Sequence, residues 1–120
     1  MHKEPALSYI YEVNLTIQES SYNRHEDWLI EHFHDMVSLN GFDGLRLFSN
    51  KNVNPLDDNH MRYRNLVVQY YVSDYKILET YLKKQAIKMR SQVFEKLGDG
   101  YTVTRRVLEA IEIFNKEHQS

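Results

Sequence analysis

The chain has 120 residues, 15 Lys and Arg against 17 Asp and Glu, a net charge of -2 and no cysteine. That length suits one domain burying roughly 65 % of its unfolded surface. Without cysteine there can be no disulfide framework, thiolate catalysis or cysteine-bound zinc or iron–sulfur cluster. A pI of about 6.3 lacks the basic excess of a dedicated nucleic-acid binder. The start, MHKEPALSYIY, has no signal-peptide apolar run, and no window approaches the ~20 apolar residues of a membrane span. The expectation is a cytoplasmic protein of a single domain, residues 1–120, with a core of about 7–112 and no nucleic-acid or membrane partner.

Met1–Ala6 reads as a frayed polar lead-in containing Pro5. Leu7–Ile17 then alternates strictly. Leu7, Tyr9, Tyr11, Val13, Leu15 and Ile17 are apolar or aromatic, while Ser8, Glu12, Asn14 and Thr16 are polar and Ile10 is the exception. A period of two puts one face of a strand in a core and leaves the other facing something wetter. Gln18–Tyr22 reads as a turn, with Asn23 and Glu26 as a capping-box-like pair opening a helix. Trp28, Leu29, Phe33, Met36 and Val37 give that helix an apolar side, and Gly41 closes it.

Leu45–Ser49 is a short strand, with Leu45 and Leu47 on one face and Arg46 and Phe48 on the other. Asn50–His60 is loop chemistry, rich in Asn and Asp around Pro55. Met61–Val72 is a second long strand, apolar enough on both faces to be central. A helix capped by Ser73 or Asp74 is expected to run unbroken to Leu97. Its stripe is Ile77, Leu78, Tyr81, Leu82, Ala86, Met89, Val93 and Leu97, with Gly98 after it. Tyr101–Ile111 reads as the last strand, with Arg105 breaking its parity and so implying a bulge or an exposed edge position. Ile113–Ser120 is a polar tail with room for one helical turn.

The order strand, helix, strand, strand, helix, strand is the split βαβ arrangement of the ferredoxin-like α+β fold. Right-handed crossovers give an antiparallel sheet of order 4-1-3-2 with both helices on one face. The uncovered face then presents Glu12, Asn14, Thr16, Arg46, Phe48, Val67, Gln69, Tyr71, Thr102, Thr104 and Arg106. This set is too poor in Lys and Glu for a solvated face and too polar for a dry interface. It suits a small pocket or a wet interface.

Glu12, Asn14, Arg46, Gln69, Tyr71 and Arg106 are therefore the candidate ligand-binding residues. Arg46 and Arg106 could grip an anion bidentately, and Glu12 is the one candidate proton carrier. Alternatively, Glu12 pairs with an Arg and the amides satisfy one another across a dimer. No His, Cys or Lys joins the set, so no catalytic residue, cofactor or metal is assigned. The 9 Tyr and 5 Phe against 1 Trp are either half-buried strand residues or a ligand lining.

In the first helix His25 and His32 can share a face, and Glu31 and Asp35 stand at i and i+4. With no H-E-x-x-H pattern, this segment reads as a solvated polar face. His2, His60 and His118 form no constellation. Lys76, Lys83, Lys84, Lys88, Arg90 and Lys96 likewise read as a solvated helix face. The strand Asn65–Val72 lacks the basic and glycine positions of an RNA-recognition signature.

Four segments carry a resemblance: Tyr11-Glu12-Val13-Asn14-Leu15, Gly41-Phe42 ahead of Arg46-Leu47, Val68-Gln69-Tyr70, and Thr104-Arg105-Arg106-Val107-Leu108-Glu109. Together they resemble a bacterial family, number 4286 among the domains of unknown function, over roughly Tyr9 to Glu109. The resemblance implies a ferredoxin-like domain of the kind that pairs into dimeric α/β barrels, and no established activity. Pairing, through the bare sheet face or across the strand edges, is also expected because Ile10, Phe48, Val67 and Tyr71 would otherwise form an exposed apolar patch. The expected function is a dimeric, non-catalytic binding or interaction module with a polar sheet face, sensing a small anionic ligand. The alternative is a cofactor-less small enzyme, monooxygenase- or isomerase-like, with its substrate in the barrel.

Overall fold

A computed structural model of the protein describes residues 8–51 and 62–116. The lead-in Met1–Ala6, Leu7, most of the Asn50–His60 loop, Met61, the end of the tail, and with them His2, His60 and His118, lie outside the described residues. The elements are β1 (Tyr9–Gln18), α1 (Glu19–Asn40), β2 (Gly44–Ser49), β3 (Tyr63–Val72), α2 (Tyr75–Thr80), a π-helical turn (Tyr81–Gln85), α3 (Ala86–Leu97) and β4 (Tyr101–Glu109).

The four strands form one antiparallel sheet of order β2-β3-β1-β4, the ferredoxin-like arrangement expected from the element order. The two-residue period decides which side the helices cover. Tyr11, Leu15 and Ile17 of β1 and Leu66, Val68, Tyr70 and Val72 of β3 are buried beneath Leu29, Phe33, Met36, Leu78, Tyr81, Ala86 and Met89. Fully burying side chains of this size stabilises the fold by about 1.5–3 kcal/mol each. Asp74 caps α2, its carboxylate accepting the Lys76 N–H at 2.9 Å. Gly41 ends α1 at φ 71°, a left-handed conformation that glycine adopts without a Cβ penalty. It thereby turns the chain so that buried Phe42 meets Tyr70 and Tyr81, with ring centroids 5.6 and 5.3 Å away.

Several local expectations are corrected. Gln18–Tyr22 is not a turn: α1 begins directly after β1, at Glu19, and Asn23 lies inside the helix. Long-range bonds replace the side-chain cap. Gln18 N–H donates to Gly100 O at 3.1 Å, and Glu19 N–H to Arg62 O at 2.8 Å. The second helix is interrupted, because Ala86 N–H donates to Tyr81 O, five residues back, instead of closing an α-turn. The wider turn leaves Tyr81 and Ala86 both buried and puts polar Gln85 outside. At Arg105 there is no bulge, since β1 and β4 pair in unbroken register from Tyr9↔Glu109 to Ile17↔Tyr101. The exposed edge position is what occurs. The strand stops at Glu109, and the described part of the tail, to Lys116, forms no helix.

Candidate functional site

The uncovered face is organised by strand register. Arg46 stands opposite Gln69, Gln69 opposite Glu12, and Glu12 opposite Arg106, so one transverse row crosses all four strands. The next row carries Phe48, Val67, Asn14 and Thr104. All six sequence-derived site residues therefore lie on this one face, in two contact groups.

Glu12 is the hub of the first group. Its Oε1 accepts a hydrogen bond from Gln69 Nε2 at 2.9 Å. Its Oε2 accepts from Asn14 Nδ2 at 3.1 Å and from Arg106 Nε at 2.5 Å. Although no helix covers this face, Glu12 is only 3 % exposed, while the Arg106 side chain remains 62 % exposed. The Arg106 hydrogen bond, reinforced by those from Gln69 and Asn14, outweighs burial and holds the carboxyl below its usual range. A carboxylate with both oxygens occupied and its pKa lowered is a poor proton acceptor.

Arg46 and Tyr71 form the second group. The Arg46 guanidinium lies 5.1 Å from the centre of the Tyr71 ring, a cation–π distance, and the same ring packs over Gly44. The Tyr71 hydroxyl is buried and has no hydrogen-bond partner among the described residues. Arg46 is thus not Glu12's partner; that position belongs to Arg106. Beyond the six, Thr16 Oγ1 donates to Asn65 Oδ1 at 2.8 Å, linking β1 to β3.

On the other side of the sheet the structure reveals a feature that sequence reasoning missed. A cavity of about 40 Å³ lies between helices and strands, with Tyr11, Tyr70, Tyr81, Met36, Met89, His32, Arg90 and Arg105 among its lining. Arg90 Nη2 donates to Tyr11 Oη at 3.4 Å, and the Tyr81 ring tilts against the Tyr11 ring with centroids 5.5 Å apart. His32, expected on a solvated face, is instead buried and stacked on Trp28 with centroids 5.1 Å apart. Desolvation lowers its pKa. Among the described residues no group of three or more His, Asp or Glu is placed to hold a metal ion. No described helix is long and apolar enough to cross a membrane.

The family model for a domain of unknown function (DUF4286) matches residues 8–111, and the chain belongs to that family. No curated protein matches it in sequence. Solved structures do match in fold. A candidate antibiotic biosynthesis monooxygenase from Deinococcus radiodurans has a TM-score of 0.65 at 11 % identity, covering 92 % of this chain and 99 % of its own. A dimeric ferredoxin-like protein from an uncultured marine organism has a TM-score of 0.61 at 7 % identity, covering 89 % and 99 %. SnoaB, a cofactor-independent oxygenase from Streptomyces nogalater, has a TM-score of 0.58 at 12 % identity, covering 91 % and 99 %. At such identities the likeness establishes the fold alone.

Proposed function

We propose that this protein is a single-domain cytoplasmic binding module that pairs with a second copy through its uncovered sheet face and does no chemistry there. One observation carries the reading. Glu12, the only candidate proton carrier on that face, is 3 % exposed and has both oxygens engaged by Gln69, Asn14 and Arg106. Such a network reads as a fixed polar centre for an interface or a small pocket. Phe48, 43 % exposed on the same face, supplies an apolar contact that a monomer would leave wet. The dimeric ferredoxin-like protein shows that this fold can pair.

Within the face, Arg46 and Tyr71 are the groups best suited to a small anion. Arg106 is committed to Glu12, whereas the Tyr71 hydroxyl, beside the Arg46 group, lacks a partner among the described residues. A cofactor-less enzyme acting on this face would need a proton carrier other than Glu12. Sedimentation analysis and a thermal-shift screen of small carboxylates and phosphates test the reading together. The expected result is a dimer at micromolar concentration with an anion-dependent shift that Arg46→Ala abolishes. A monomer at that concentration overturns the pairing, and anion shifts indifferent to Arg46 overturn the ligand assignment.

A further inference from the structure

We propose that the cavity between the helices and the sheet is a second, separate site that binds a small planar aromatic acid. The ring would lie among the tyrosines and its acidic oxygens would meet Arg90 and Arg105. This site is independent of the uncovered face, because its lining comes from the opposite side of the sheet.

The cavity's walls choose the body of the ligand. Leu29, Phe33, Met36, Met89, Val93 and Val103 give an apolar interior. Tyr11 and Tyr70 lie near-parallel with centroids 6.0 Å apart, and Tyr81 tilts 56° against Tyr11 at 5.5 Å, so three aromatic rings at different inclinations line one side. Flat rings pack well against such surfaces in offset or edge arrangements.

Its rim chooses the charge. Arg90 and Arg105 are exposed lining residues, and the lining contains no carboxylate. Neither forms an ion pair with a described residue. Arg105 stands opposite Val13, on the strand face that packs against the helices, where an apolar residue would otherwise be expected. Two guanidinium groups beside an apolar cavity whose lining holds no carboxylate favour an anion. Burial pushes the Tyr70 and Tyr81 phenols up, so both remain protonated at neutral pH.

The available room sets a condition. About 40 Å³ is less than the roughly 150 Å³ of an apolar cavity that accepts benzene. Entry of a ring therefore requires side chains to move. Met36 and Met89, unbranched and adaptable, are the lining residues best able to do so. Tyr81 also opens the π-helical turn, a distortion found frequently at functional sites.

The test is a titration of the full chain carrying ¹³C-methyl methionine, with benzoate as the acidic probe and benzamide as its uncharged analogue. Of the 4 methionines, Met36 and Met89, the two that line the cavity, should shift together and saturably. Benzamide should bind at least tenfold more weakly. Arg90→Gln combined with Arg105→Gln, both at exposed positions, should weaken benzoate at least tenfold and leave benzamide unchanged. Arg24→Gln, an exposed helix position outside the lining, should leave the benzoate response of Met36 and Met89 unchanged. The proposal is overturned if Met36 and Met89 do not respond to millimolar benzoate, or if the two probes bind equally. It is also overturned if the rim substitutions leave the benzoate response of Met36 and Met89 unchanged.

Discussion

Glu12 and Arg106 face each other across β1 and β4 and are joined through Arg106 Nε, with only 5 % of the glutamate side chain exposed against 62 % of the arginine's. The arginine therefore acts as a lid on its partner, with its own outer surface left in solvent. That asymmetry makes the carboxylate's protonation a stability switch. Its folded pKa is held below the ordinary 4.5, chiefly by the Arg106 hydrogen bond. The associated stability is present above about pH 4.5 and is lost as pH falls through the lowered folded value. Acid denaturation of Glu12→Gln should accordingly lose part of the wild type's decline below pH 4.5. Identical decline in the two proteins would show that Glu12 does not drive it.

Removing the lid should be worse than replacing it. Arg106→Ala leaves a buried carboxylate without its cation, so its pKa should rise and the melting temperature should fall. Arg106→Lys should recover part of both changes, because the charge returns without the planar fork. Side-chain carboxyl NMR across pH, together with thermal melts, checks the order wild type, Lys, Ala.

The Tyr71 hydroxyl invites the opposite kind of substitution. A buried polar atom without a partner costs about 1–3 kcal/mol, so Tyr71→Phe should stabilise the protein by an amount in that range. Urea denaturation at neutral pH measures it. A loss of stability would mean that the hydroxyl has a partner in solution, an ordered water being the simplest.

The π-helical turn yields a deletion test. Removing Gln85 turns the Ala86-to-Tyr81 bond into an ordinary α-helical one and keeps Tyr81 and Ala86 facing the sheet. The shortened protein should fold with its helical circular dichroism intact and melt within a few degrees of wild type. A collapse in melting temperature would show that the wide turn is needed to seat α3.

At the core, Leu29 is fully buried. Leu29→Ala should cost about 2–5 kcal/mol from lost transfer energy and the void left behind, which equilibrium unfolding reports directly.

Much of this arrangement was legible in the residues. The alternation from Tyr9 to Ile17 and the stripe from Ile77 to Leu97 named the core correctly, and the element order led to the sheet order. Parity also placed Glu12, Asn14, Arg46, Gln69, Tyr71 and Arg106 on one face, but parity is silent on side-chain partners. The choice of Arg106 over Arg46 depends on which strand lies directly beside β1. The start of α1 was misread because its first amides bond to Arg62 and Gly100, carbonyls far away in sequence. The π-helical turn did leave a trace. Gln85, four residues after Tyr81, is polar where an α-helical stripe would be apolar, and Ala86 follows it. Burial of His32 left none, since a histidine among Glu31, His34 and Asp35 looks solvated until Trp28 is seen stacked on it.

The junction between β1 and α1 has a mechanical consequence. At Gln18 and Glu19 the chain passes from strand to helix with no slack, and the same two amides hold the carbonyls that precede β3 and β4. Three chain reversals are thus latched at one dipeptide. Breaking the latch would loosen the start of a helix and the ends of two strands at once, so this end of the molecule should open as a single cooperative unit. The Gln18 and Glu19 amides should then exchange with solvent at nearly the same slow rate, despite standing at the boundary between two kinds of secondary structure.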